Sequence, residues 1–204
     1  ECAHLLPHRL TTPDFIAKLE RDAVHLLRHE ATIKRYLQAN PDFIALSHFN
    51  AHIDNAWFRR DASGRLECGL MDWQRARQMN VSYAIWGCLS GASLDVWEHL
   101  DDLLVQFTDE LHAHGGPKLD VAELRLHLDL YTAMISLAQL IESPAIVLAR
   151  MPDVAQRSGP RDPLFDTNEG ARTFLSVFSG LLNLWQTMIS GRVSTGSWSA
   201  WDGR

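Results

Sequence analysis

Ser47-His48-Phe49-Asn50-Ala51-His52-Ile53-Asp54-Asn55, followed later by Met71-Asp72-Trp73, sets proton- and metal-handling side chains at the ends of apolar runs. The run 43–46 precedes the first stretch, and runs 56–58 and 66–71 follow it, each rich enough in apolar and aromatic residues to be extended. Asp61-Ala62-Ser63-Gly64 lies between the last two and has the composition of a tight turn, so these runs are expected to form a hairpin. The polar stretches then fall together at its open end. They form one candidate site.

Outward from that hairpin the pattern changes from period 2 to period 3.6. Thr12 suits a helix cap and Pro13 a first turn, and Phe15, Ile16, Leu19, Ala23, Leu26, Leu27, Ile33 and Leu37 recur at helical spacing until Asn40-Pro41. Beyond Asn80, helices are expected over 81–92, 94–114, 121–141 and 171–189. Gly115-Gly116-Pro117, Ser143-Pro144 and a Pro-, Gly- and Asp-containing loop over 152–169 separate them. Their Leu and Trp stripes read as core. Residues 191–204 are rich in Gly and Ser and carry Trp198 and Trp201, the composition of a mobile or indole-docked tail. The expected fold is α+β, mainly helical, with a small β-hairpin beside a helical bundle, all within one domain over 1–204.

Composition bounds the function. The 204 residues carry 46% hydrophobic and 22% charged side chains, enough for a real core, and a formal charge of −6 with no basic run. Nucleic-acid binding therefore has little electrostatic support. No uninterrupted apolar run reaches membrane-spanning length and no signal-like N-terminus is present, so no membrane partner is expected and the expected location is cytoplasmic. Cys2, Cys68 and Cys88 are odd in number and widely spaced, which fits a reducing compartment, and each is expected to be a small buried hydrophobe.

The two polar stretches together resemble the aminoglycoside phosphotransferase and choline kinase-like superfamily, whose fold is protein kinase-like. Its catalytic loop reads H-G-D-x-H-x-x-N, and a later hairpin presents I-D-W or I-D-F. Residues 48–55 align with that loop without gaps, and Met71-Asp72-Trp73 falls at the matching separation. The resemblance implies ATP- and Mg²⁺-dependent phosphoryl transfer to a hydroxyl of a small-molecule substrate. It makes Asn55 and Asp72 the metal ligands and His48 the brace of the loop, with His52 a further matching position. The family's catalytic Asp falls on Asn50, whose amide cannot accept a proton near neutral pH. Asp54 is the carboxylate available to substitute for it after a local rearrangement. The family's following G-D-P-x-x-D-L-A corresponds to residues 79–86, where the buttressing Asp becomes Ala84.

The resemblance covers the larger, C-terminal lobe alone. A smaller nucleotide-binding lobe would have to precede Thr12, and no glycine-rich phosphate loop occurs in the chain, so the sequence is expected either to be a piece of a longer protein or to lack that lobe. Two other functions compete: a catalytically inactive, pseudokinase-like binding module, and a metal-dependent hydrolase using His48, His52, Asp54 and Asp72. Trp86, Trp97 and the acidic residues Asp95, Glu98, Asp101 and Asp102 are candidates for recognising a cationic or hydroxylated substrate. Neither that substrate nor the oligomeric state is legible.

Overall fold

A computed structural model describes residues 2–189. The tail expected over 191–204, with Trp198 and Trp201, lies outside them. The chain forms two compact units, one from Glu1–Ala31 with Thr132–Arg204 and the other from Thr32–Tyr131. The fold is mainly helical with two short antiparallel ribbons.

Within Thr32–Tyr131, strand β1 (Ile44–Ser47) pairs with β4 (Arg77–Asn80) in the register Ile44↔Asn80 to Ser47↔Arg77. Strands β2 (Ala56–Arg60) and β3 (Leu66–Leu70) pair from Ala56↔Leu70 to Arg60↔Leu66 and form the expected hairpin. Its turn is held by Asp61, whose Oδ1 accepts the Ser63 and Arg65 N–H groups at 2.9 and 3.0 Å, while Gly64 takes φ 85°. On the ribbon, a Cβ at Gly69 would stand 2.3 Å from the Trp57 ring, so the bare glycine lets the indole lie across its cross-strand neighbour. Strand β4 is an addition to the sequence reading. Arg77-Gln78-Met79-Asn80 has no apolar alternation, because two of its side chains are exposed and the ladder to β1 defines it.

Helix α1 (Pro13–Ala39) begins at Pro13, with the Thr12 hydroxyl accepting the Phe15 N–H at 3.3 Å. Its last two turns and the start of α5 (Val121–Arg150) supply Ile33, Leu37, Leu124 and Leu128 to the core of this unit, each no more than 1% exposed. Helix α2 (Val81–Leu89) adds Ile85 and Trp86. The segment expected as one helix over 94–114 divides at His99 into α3 (Leu94–Glu98) and α4 (Leu100–Ala113), which bring in Trp97, Leu100 and Leu104.

Asn80 organises this core. Its Oδ1 accepts the Ser82 N–H at 3.0 Å and so caps α2, and its Nδ2 donates to the Leu37 carbonyl at 2.6 Å and to His127 Nδ1 at 2.8 Å. A side chain only 2% exposed thus has its amide fully used, tying α1, α2 and α5 at one point.

In the other unit, Leu5, Val147, Met151, Val154, Phe165, Ala171 and Leu175 form one apolar cluster. Helix α6 (Glu169–Leu184) is capped by Asn168, which accepts the Ala171 N–H at 3.0 Å, and continues as a π-helical turn over Trp185–Ile189. There Trp185, 1% exposed, donates its indole N–H to Asp22 at 3.0 Å, and Arg9 donates to Asn183 at 2.7 Å.

Some expectations are corrected. Helix α5 does not end before Ser143-Pro144; it continues to Arg150 and bends by 51° between Val121–Gln139 and Glu142–Arg150. A proline within a helix removes one N–H bond and crowds the carbonyl four residues back, which bends the helix just before it. Ile16 and Leu27, placed on the apolar stripe of α1 by spacing, are 46% and 58% exposed. Of the cysteines, Cys68 and Cys88 are exposed rather than buried. No single helix among the described residues is long and apolar enough to cross a membrane.

Candidate functional site

The ribbon β1–β4 and the hairpin β2–β3 deliver residues 48–55 and 71–73 to the same place. Met71 N–H donates to the Asn55 carbonyl at 2.8 Å, extending the hairpin ladder past Leu70 into the second motif. His48 completes the connection. Its Nε2 lies 2.6 Å from the Met71 carbonyl and its Nδ1 accepts the Asn50 N–H at 3.2 Å. A carbonyl needs a donor, so the proton sits on Nε2 and the neutral ring is fixed in one tautomer. Trp73 closes over it edge-on with ring centroids 4.6 Å apart, and donates its own N–H to the Leu70 carbonyl at 3.0 Å. With both nitrogens engaged by the main chain and the residue 6% exposed, His48 braces the loop and offers neither nitrogen to a metal.

Asn50 is held by its backbone from both sides. Its N–H goes to His48 and its carbonyl accepts from Asn55 Nδ2 at 2.8 Å, which presents the side-chain amide from a fixed main chain. The second Asn55 amide hydrogen faces His52 Nε2 at 3.4 Å. Both donors of Asn55 thus point into the loop, and the Oδ1 is the part of the group left to meet a cation. On its other side, His52 Nδ1 stands 3.5 Å from Asp54 Oδ2. Asp54, on the short helical turn Ile53–Asn55, is therefore engaged with His52, and taking the role that the resemblance assigns to position 50 would require giving up that pairing.

Asp72 follows Met71 directly and is exposed. It has φ 57°, the only positive φ outside glycine among the described residues. That left-handed conformation costs most residues about 1–2 kcal/mol, less for Asp and Asn. The sharp bend it makes turns β3 into the short helical turn Trp73–Arg75.

The loop's rear wall was not legible in advance. A Cβ at Gly87, on α2, would stand 2.1 Å from the Phe49 carbonyl oxygen, so the loop backbone rests against the helix where there is no side chain. A lone Gly inside an apolar helix was the available signal. It lies one turn beyond Ala84, where the resemblance expects a buttressing carboxylate, and the loop is backed there by close approach of the two main chains.

Asn55 and Asp72 offer oxygen donors only, the type Mg²⁺ prefers, and Asp72 adjoins the residue bonded to Asn55. The donor chemistry fits the implied ion. A transition-metal centre is less well served: no group of three or more His, Cys, Asp or Glu among the described residues is placed to hold a metal, and His48 is already engaged. The indoles considered for substrate recognition are core. Trp86 and Trp97 are 4% and 6% exposed and pack on each other at 5.9 Å, and Asp101 is ion-paired with Arg125. Comparisons with family models, curated proteins and solved structures find no match to this chain.

Proposed function

We propose that the chain carries the catalytic and metal loops of a small-molecule phosphotransferase of the aminoglycoside phosphotransferase and choline kinase type, built on a kinase-like C-terminal lobe. The observation that supports it is the His48 bridge: one imidazole joins the loop 48–55 to Met71, which ties together the two segments whose Asn55 and Asp72 a shared cation would need. When bound, a magnesium nucleotide supplies the transferable phosphoryl group and neutralises its charge. The chain's part is positioning. Asn55 presents its Oδ1 because Asn50 and His52 take its hydrogens; by the resemblance, Asp72 would supply the formal charge and Asn50 would face the acceptor.

Titration calorimetry with ATP, in Mg²⁺ and in EDTA, tests this reading. Binding is expected to need Mg²⁺ and to weaken at least ten-fold in Asp72→Asn, which keeps tolerance for the left-handed conformation while removing the charge. Equal Mg²⁺-dependent binding by Asp72→Asn refutes it.

Asn50 favours a second reading, a binding module that holds the nucleotide without turning it over. General acid-base help is worth about 10² to 10⁴ in rate. Measurable Mg²⁺-dependent ATP hydrolysis by the wild-type chain, rising by that order in Asn50→Asp, supports an impaired enzyme. Binding with no turnover in either form supports the module.

A further inference from the structure

A recess of about 440 Å³ opens beside the β1–β4 ribbon, lined by Gln38, Arg77, Gln78, Asn80 and Tyr83 among others and by no residue of 48–55 or 71–73. No carboxylate lines it, in a chain whose formal charge is −6. Arg77, Gln38 and Gln78 are exposed, and their guanidinium and amide groups are donors at its mouth. Lys34 lies one helical turn before Gln38 on the same face of α1. Arg77 is the cation among the lining residues.

The floor is rigid. Tyr83 stacks on Tyr131 with ring centroids 3.7 Å apart, and the Asn80 amide is spent on Leu37, His127 and Ser82. A recess lined by donors that include a guanidinium, with no acid in its lining, suits an anion, and a planar guanidinium matches two oxygens of a phosphate.

We infer that the recess bounded by Gln38, Arg77, Gln78 and Tyr83 binds a phosphate-sized dianion, free or carried as the monoester of a small molecule. Its volume leaves room beside the anion for the ester's organic part. The recess shares no lining residue with the loops that carry Asn55 and Asp72, and the inference does not depend on the function proposed for them.

The test is an NMR titration of the ¹⁵N-labelled chain with inorganic phosphate and with glycerol 3-phosphate at fixed ionic strength. Saturable shifts are expected at the amides of Arg77, Gln78 and Tyr83. The tighter of the two ligands identifies the source of the anion. Arg77→Gln is expected to weaken binding at least ten-fold, Arg77→Lys by less, and Asp72→Asn to leave it unchanged. Arg77 is exposed, so these variants keep the fold, which circular dichroism verifies. Absence of saturation with both ligands, wild-type affinity in Arg77→Gln, or an equal loss in Asp72→Asn overturns the inference.

Discussion

Acidification should unlock the core at His127. The ring is 1% exposed, lies against Phe43 at 4.1 Å and Tyr36 at 4.9 Å, and accepts the Asn80 amide on Nδ1. Burial pushes its pKa down to about 4 from 6.5. Glu123 Oε1 stands 3.9 Å from Nε2 and would favour the charged ring, but that carboxylate is 39% exposed, so water screens it and desolvation wins. Between pH 6.5 and about 4 the unfolded chain binds a proton that the folded chain refuses. Stability from this group is therefore complete above pH 6.5 and falls as the pH drops through that window. At about 1.4 kcal/mol per pH unit, the loss is on the order of 3 kcal/mol. His127→Gln keeps an acceptor for Asn80 but cannot titrate. Denaturant melts of both forms from pH 7.5 to 4 should diverge by that amount, the shared carboxylates cancelling in the difference. The ring's own titration followed by NMR reads the same quantity without requiring a single unfolding step. A His127 resonance titrating near its ordinary value, or a stability difference independent of pH, would refute the reasoning.

Other perturbations have definite outcomes. Asn80→Asp places a carboxylate against the Leu37 carbonyl and the His127 acceptor, and chemical denaturation should show a loss of about 3–5 kcal/mol for a buried charge without compensation. Gly87→Ala drives a methyl into the Phe49 carbonyl, so displaced backbone resonances should appear over residues 48–55, with stability lower by about 1–3 kcal/mol. Asn55→Asp sets an oxygen against the Asn50 carbonyl, and magnesium-dependent nucleotide binding should fall despite the added charge. Trp185→Phe removes the hydrogen bond to Asp22 and should lower stability by about 1–3 kcal/mol in thermal melts.

The hairpin was legible because its signals are local. Asp61 to Gly64 specify the turn by side-chain capping and a positive φ, and those properties belong to the residues themselves. The meeting of the two polar stretches followed from that hairpin alone. What stayed hidden depends on partners distant in sequence. Strand β4 exists through its ladder to β1, Gly87 is informative only once Phe49 rests on it, and the Asn80 and His127 pair joins residues far apart in the chain. The long α5 deceived for the opposite reason. Ser143-Pro144 is a strong local stop, and the apolar cluster formed by Val147 and Met151 holds the helix together beyond it. Ile16 and Leu27 matched the helical period, yet their exposure shows that the buried stripe of α1 is narrower than its apolar composition.

The pairing of β2 with β3 inside the pairing of β1 with β4 has a kinetic meaning. The outer ribbon alone must close a loop of about thirty residues, from Ser47 to Arg77. Once the inner hairpin has joined Ala56 to Leu70, the path left to close is roughly half as long, which lowers the entropic cost of closure by about 0.6 kcal/mol. Loop entropy therefore favours assembly from the turn outward, with the loop carrying His48 to Asn55 closing after the hairpin. Weakening the turn at Asp61 should slow the maturation of a site whose residues it never touches.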